Sequence, residues 1–472
     1  MSSEMVSSIG TSNKEGEEEA SDPNYQNEIP LVSRSNLSSP ASQLNTRQLL
    51  IRCVELVSQS DLIAAQRLVS LISSNSSPYG DSTDRLVHQF AKALSFRLNR
   101  NSFDVNLVRL SRRAASTNTS TEIISNPYHH HHQMISGSDV GGQDMMMDLQ
   151  MEAVESSYLY LNKITPFIRF SHLTANQAIL EATEGQDCIH ILDLDTMQGL
   201  QWPPLMQAIA ERHGRRSITT TTTSDQDQEE EASARSIPAN PPMIRITGAG
   251  QDLITLQRTG DRLQKFAHSL GLRFQFRPLL IQSQGLSLAV AHLPSAVPLM
   301  PNEALIVNCV HFLHRFLRDD ARLFLRAIRA MNPRVVTVAE REASHNHPFL
   351  QRFVQALDHY TALFDSLEAT LPPNSRERLT VEQVWFGREI LDLVAAEGDQ
   401  RTLRHERFET WVELLRSSGF SAVPLSPYAL SQAKLLLRLH YPSEGYQLQI
   451  LNDSFFLGWQ GQPLFSVSSW HA

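Results

Sequence analysis

"IHILDLDTMQGLQWPPL", residues Ile189–Leu205, opens as an apolar strand and closes as the start of a helix. In an α/β sheet, the turn between two such elements is where a dinucleotide or S-adenosylmethionine is held. The backbone must approach the ligand closely there. Glycines allow this, because a Cβ would clash and because positive φ is often required. The turn here reads Asp195, Thr196, Met197, Gln198, Gly199, Leu200, Gln201, Trp202, with Gly199 its one glycine. Met197 and Trp202 are bulky enough to fill the space a cofactor needs. A second test is an acidic residue ending the second strand, to hold ribose hydroxyls. That strand, Met243–Thr247, runs into Gly248-Ala249-Gly250, and Asp252 comes late and reads as a helix cap. Both tests speak against a cofactor, and none is expected.

Short apolar runs alternate with helical patterns outward from this stretch: strands at Ile189–Leu194, Met243–Thr247, Leu272–Pro278, Ala304–Val310 and Val335–Ala339, and helices at Pro203–Glu211, Gln251–Leu270 and Arg318–Met331. The alternation predicts an α/β fold with a Rossmann-like, mostly parallel sheet flanked by helices. Further helices are expected over about 349–398. The end, "YQLQILNDSFFLGWQGQPLFSVSSW", reads as two aromatic-rich strands around a Gly-Trp-Gln-Gly turn, an antiparallel hairpin on one sheet edge.

The region before residue 189 is helical in texture. Leu50, Val54 and Val57 share one helical face. Ser60 reads as the N-cap of a second helix carrying Leu62, Ala65, Val69 and Ile72. Residues 43–188 are therefore expected to form a mainly helical cap, and 189–472 the α/β core. Residues 1–42 are polar and acidic and read as a disordered tail. Two low-complexity inserts are expected, about 115–150, with His129 to His132 and Met145 to Met147, and about 217–242, rich in threonine and acidic residues.

The chain has 472 residues, 41 basic against 50 acidic, for a net charge of −9, which argues against a uniformly basic nucleic-acid binder. Cys53, Cys188 and Cys309 are far apart and suggest neither a disulfide framework nor a cysteine zinc site. The opening residues lack a secretory or transit pattern, and no apolar run approaches the roughly 20 residues needed to span a bilayer. A soluble intracellular protein without membrane contact is expected.

Several side chains are candidates for chemistry. Asp193 and Asp195 alternate with Leu192 and Leu194, so they are expected on one strand face. They read either as an acid/base pair or ligand contact at the carboxyl end of the sheet, or as groups that cap the Pro203 helix or hydrogen-bond loop backbone. His190, between Ile189 and Ile191 on the other face, reads as a core histidine or a catalytic one. Trp202-Pro203 reads as a helix start with proline in the first turn. His129 to His132 lack a rigid geometry for metal. His345 and His347, near Glu340 and Glu342, could hold a metal or cap a helix. In "LRDDARLFLRAIRAM", Leu317, Ala321, Leu325 and Ile328 make an apolar stripe beside Arg318, Arg322, Arg326 and Arg329. That arginine ridge could meet phosphates or an acidic partner, or pair with local acids. "RHGRR" (Arg212–Arg216) could serve nuclear import.

"IHILDLDTMQGLQWPPLMQAIAERHG" resembles the Val-His-Ile-Ile-Asp motif of the plant GRAS family of regulatory proteins. Its Ile189, His190, Ile191, Leu192, Asp193, Gln198, Gly199, Trp202 and Pro203 carry the likeness. Ser468, Ser469 and Trp470 stand where the family's C-terminal Ser-Ala-Trp motif would be. "IRITGAG" (Ile244–Gly250), "LIVNCVHFLHRF" (Leu305–Phe316) and "VVTVAEREASHNHPFLQRF" (Val335–Phe353) follow in the family's order, and Leu44–Leu110 resembles its first leucine-rich region. The resemblance covers about residues 43–472 and is strongest to the lateral suppressor type. It implies a nuclear transcriptional regulator of meristem initiation and shoot branching, with a methyltransferase-like core under a helical cap. It implies action through other transcription factors, a homo- or heterodimer through the cap, and indirect contact with DNA. No Asp-Glu-Leu-Leu-Ala motif is present, so degradation triggered through that motif is not implied. A working S-adenosylmethionine-dependent methyltransferase and a direct DNA-binding factor are the alternatives. The glycine-poor turn opposes the first, and the acidic charge with no zinc finger, homeodomain or basic zipper opposes the second.

Overall fold

The computed structural model describes residues 40–114, 140–222, 240–281 and 293–472. The tail up to residue 39, His129 to His132 and residues 223–239 lie outside the described residues. In chain order the elements are α1 Pro40–Ser58, α2 Leu62–Ser74, α3 Ser82–Ala114, α4 Val140–Ile164, α5 Phe167–Ala182, β1 Cys188–Asp193, α6 Trp202–Thr222, β2 Met243–Gly250, α7 Leu253–Ser269 and β3 Arg273–Leu280. Then follow α8 Leu293–Ala296, β4 Ala304–Val310, α9 Arg318–Ala330, β5 Val335–Arg341, α10 Phe349–Thr370, α11 Arg376–Thr380, a π-helical turn Val381–Phe386 and α12 Gly387–Ala395. The chain ends with α13 Phe408–Ser417, β6 Ser421–Val423, α14 Pro427–His440, β7 Tyr446–Leu451, β8 Ser454–Trp459 and β9 Gln462–His471. Two regions read as inserts are helical at their margins, since α4 begins at Val140 and α6 runs to Thr222.

The expected fold class, a Rossmann-like (methyltransferase-like) and mostly parallel sheet, is corrected. The chain is mostly helical, and its sheet is mixed, ordered β3-β2-β1-β4-β5-β9-β8-β7 with β6 also on β9. The pairings among β1 to β5 are parallel. Every pairing of β6 to β9 is antiparallel. The hairpin expected at the end is three strands. Asn452 and Asp453 both take positive φ, as do Gln460 and Gly461, so each pair makes a tight two-residue turn of the kind that matches strand twist.

The helical layer comes from two separate parts of the chain. α12 and α10 pack against α3, and the π-helical turn and α11 pack against α4. Leu50, Val54, Phe90, Leu94, Phe353, Leu363 and Ile390 form one buried cluster that continues into Phe455, Leu457 and Phe465 of the sheet. By contrast α5, which precedes residue 188, packs on β5, β9 and α14. A buried ion pair fixes the layer: Arg85 grips Glu382 with Nε to Oε2 at 2.7 Å and Nη2 to Oε1 at 3.1 Å. The α2 N-cap is Asp61, which accepts from Ala64 N; Ser60 instead takes the left-handed turn before it, with φ of 65°. On the other sheet face, α9 and α13 bury Phe324, Leu325, Ile328, Trp411 and Leu415 against β4, β5 and Trp470. Leu317, expected in the α9 stripe, lies just before the helix and is exposed. Among the described residues, no helix is long and apolar enough to cross a membrane.

Candidate functional site

The end of β1 and the turn after it, Asp193 to Trp202, form the site. β1 ends at Asp193, so Asp195 lies beyond the strand and the two carboxylates do not form the expected same-face pair. Asp193 points under α6. Its Oδ2 accepts from Trp202 Nε1 at 2.9 Å, and its Oδ1 accepts from Asn308 Nδ2 at 2.9 Å. Asp195 instead pairs with Arg315. Trp202 is completely buried, and its indole fills the end of β1 from within.

A polar chain runs sideways from Asp193. Asn308 and Gln201 exchange amide hydrogen bonds at 3.0 Å in both directions, and Thr337 Oγ1 donates to Asn308 Oδ1 at 2.8 Å. Gln201 Nε2 donates onward to Asn176 Oδ1 at 3.1 Å, and Asn176 Nδ2 donates to the Gln201 carbonyl at 2.7 Å. Every member of this chain is buried. Buried amides are stabilising only when their donors and acceptors are met, and a network of this kind fixes one arrangement of β1, β4, β5, α5 and α6. Burial pushes the Asp193 carboxyl up to about 6, against the lowering effect of its hydrogen bonds from Asn308 and Trp202.

The turn itself is closed by its backbone. Thr196 N donates to Ala249 O, Gly199 N to Thr196 O and Trp202 N to Gly199 O. Gly199 takes φ of +63°, and a Cβ on it would stand 2.7 Å from Thr259 Cγ2. Gln198 is held from outside by Arg262, and Pro203 lies in the first turn of α6. At the end of β2, a Cβ on Gly248 would meet Phe276 at 2.6 Å and Thr196 at 2.7 Å. Both places where a nucleotide would approach backbone are thus packed by the chain's own side chains. Asp252 caps α7, accepting from Thr255 N at 2.7 Å.

The other predicted residues go elsewhere. His190 is buried on β1, its Nε2 2.8 Å from Thr247 Oγ1 and its Nδ1 3.0 Å from Arg245 Nη2, which also binds Glu303. Burial, and then Arg245, push its pKa down to about 4, so it is a neutral imidazole. Ser468, Ser469 and Trp470 lie on β9 opposite Val338, Thr337 and Val336 of β5. Trp470 Nε1 donates to Ser468 Oγ at 2.9 Å, and Ser469 Oγ donates to Val423 O at 2.8 Å, so the motif closes the sheet. The arginine ridge is largely engaged. Arg318 binds both oxygens of Glu406, Arg322 meets Asp319, and Arg329 donates to Gly419 O, leaving Arg326 exposed.

Sequence reading missed a histidine cluster. His314 stacks on His405 with ring centroids 4.5 Å apart. His405 Nδ1 lies 3.0 Å from His345 Nδ1, and His345 meets His359 edge to face. His345 and His347 therefore do not converge with Glu340 and Glu342. Glu340 accepts from Leu313 N and faces His314, and Glu342 accepts from Ser466 Oγ and Phe408 N. Among the described residues, no group of three or more His, Cys, Asp or Glu side chains could hold a metal ion.

A helical layer thus packs on a mixed sheet, and the chain's own tryptophan closes the end of β1. The solved structure of SCL7 from Oryza sativa matches this fold with a TM-score of 0.64 at 30% identity, covering 92% of this chain and 100% of that one. Scarecrow-like protein 18 of Arabidopsis thaliana is 52% identical over 90% of this chain and 91% of its own length. Protein MONOCULM 1 of Oryza sativa subsp. japonica is 41% identical over 90% and 88%. The GRAS domain family matches residues 46–471. The chain belongs to the GRAS family. It is a regulator of plant development and transcription that acts through protein contacts, and it is not an enzyme. The fold is that family's, and the methyltransferase-like class is set aside with the methyltransferase alternative.

Proposed function

We propose that this chain acts in the nucleus on meristem initiation and shoot branching, as its resemblance to the lateral suppressor type implies, and that other transcription factors carry it to promoters. The observation that carries a scaffold role is the Trp202 indole seated on Asp193, which occupies the strand end from inside the chain. The two-part helical layer supports a second element of the reading, pairing with another regulator or a second copy through helices α1 to α3. Ile63 and Leu71 on α2, 68% and 54% exposed, are apolar side chains available to such a contact.

The test is promoter occupancy in shoot nuclei compared with binding of the purified full chain to the same promoter fragments. The expected result is occupancy in nuclei and, for the purified chain alone, no preference between promoter and scrambled DNA at physiological salt. Tight, sequence-selective binding by the chain alone would replace this reading with direct DNA recognition.

A further inference from the structure

The main path of the sheet ends in β3 and β7, with the short β6 lying off it on β9, and the two ends are built differently. The β3 edge carries Arg273, Arg277 and Pro278. Charged side chains and proline are the usual means of blunting an edge, because an open row of N–H and C=O groups invites another strand. The β7 edge, "YQLQIL", has neither a charge nor a proline in its six residues. Ile450 and Leu451 on it are 57% and 47% exposed.

Beside β7 lies a groove of about 440 Å³, lined among others by Lys434, Leu437, Arg438 and Leu448. Lys434 and Arg438 stand one helical turn apart on α14, and neither is engaged in an ion pair among the described residues. Leu435 and Leu439 follow each by one position and are 44% and 61% exposed. Two cations thus line the groove between α14 and the edge strand β7.

We propose that β7 is a docking edge for an extended, acidic segment of a partner protein, which pairs as an added strand while its carboxylates face Lys434 and Arg438. Main-chain hydrogen bonds supply affinity in such strand addition, and alternate side chains supply selectivity. The charge of the groove selects an acidic occupant. The proposal rests on the reading that the chain works through protein contacts.

The probe is a fluorescein-labelled octapeptide alternating Glu and Val, titrated into the full chain and read by anisotropy. A Lys/Val octapeptide and two N-methylated Glu/Val peptides, one blocked on each edge, serve as comparisons. The expected result is binding of the Glu/Val peptide, loss of at least about tenfold on methylation of one edge only, and a similar loss with Lys434→Glu/Arg438→Glu. Equal affinity for the Glu and Lys peptides, or indifference to methylation, would overturn it. Concentration-dependent dimerisation of the chain that Ile450→Lys abolishes would also overturn it, by giving the edge to a second copy. Promoter occupancy is measured with the same variants. If occupancy persists while the peptide fails to bind, the edge proposal falls and the functional reading stands.

Discussion

Trp202 and Asp193 are nine residues apart in sequence and joined by a 2.9 Å hydrogen bond with both side chains buried. This pair links the end of β1 to the first residue of α6 across the turn. Removing one partner leaves the other unmet in a place water does not reach. Trp202→Phe keeps most of the apolar volume but deletes the donor, and should cost about 1–3 kcal/mol in urea unfolding. Asp193→Ala strands Trp202 Nε1 and one of the two N–H groups of Asn308 Nδ2, whose other N–H keeps Gln201 Oε1, and should cost more, about 2–4 kcal/mol. Equal stability of Asp193→Ala and the parent would mean the pair contributes nothing to the fold.

Gly199 tests the turn from its backbone. Gly199→Ala meets two penalties, the left-handed φ and the 2.7 Å approach to Thr259. Gly271 has a similar φ of +68° and open space around it. Gly199→Ala should therefore lower stability by about 1–3 kcal/mol, and Gly271→Ala by clearly less. The comparison isolates the steric part. Matching losses in thermal unfolding would show that only the backbone conformation matters.

Much of this arrangement was legible in the sequence. The strand, the helix start at Trp202-Pro203 and the crowded turn all follow from local pattern. Asn308 also left a trace, as a lone polar residue within the apolar run "ALIVNCV". What could not be read were contacts between distant loops. Asp195 meets Arg315, and His345 meets His405, across long separations that no periodicity marks. The same limit explains the helical layer: α10 to α12 were expected as helices, but their packing on α3 and α4 depends on the whole fold. The sheet was misjudged because parallel strands were counted from strand–helix alternation, while Asn452-Asp453 was not recognised as a turn dividing two strands.

The buried Arg85–Glu382 pair joins α3 to the π-helical turn, with both side chains at most 2% exposed. Arg85 Nη2 also meets Glu368 Oε2 at 2.6 Å, so removing Glu382 leaves Arg85 with one of its two carboxylates. Glu382→Ala should cost about 2–3 kcal/mol, less than the loss expected when a buried charge is left with no partner. The double variant Arg85→Met/Glu382→Leu should recover part of that loss, because two apolar groups need no partner. If the double variant is as unstable as the sum of the single ones, the pair is not the source of the effect.

The histidine cluster gives a pH dependence with a definite sign. Burial, with Arg341, Arg401 and Arg352 nearby, pushes His345 down to about 3. Burial pushes His359 and His405 well below their usual range as well. These rings stay neutral in the fold but take up protons near pH 6.5 once unfolded. Their contribution is complete above about pH 6.5 and is lost as the pH falls towards the folded values. Asp193 and Glu342 act in the opposite sense, since burial raises them to about 6 and about 7, and their contribution is lost as the pH rises through those values. The clean measurement is therefore a difference. His345→Gln should flatten the fall in urea midpoint between pH 6.5 and 4 relative to the parent chain. Parallel slopes would mean that His345 does not titrate with unfolding.

The arginine ridge on α9 separates into residues with and without structural work. Arg318 makes two hydrogen bonds to Glu406, whose side chain is 4% exposed, while its own side chain is 54% exposed. The pair is partly screened by solvent, so Arg318→Ala should cost only about 1 kcal/mol, most of it from leaving Glu406 without its cation. Arg326 is exposed, and reversing its charge should change stability by no more than about 0.5 kcal/mol. The two variants then divide a folding role from a binding one. If Arg326→Glu leaves thermal unfolding unchanged but weakens recruitment of a partner in nuclei, the exposed Arg326 position of the ridge is a contact surface. If recruitment is also unchanged, the ridge is a solvated face whose arginines serve the fold through Glu406, Asp319 and the Gly419 carbonyl.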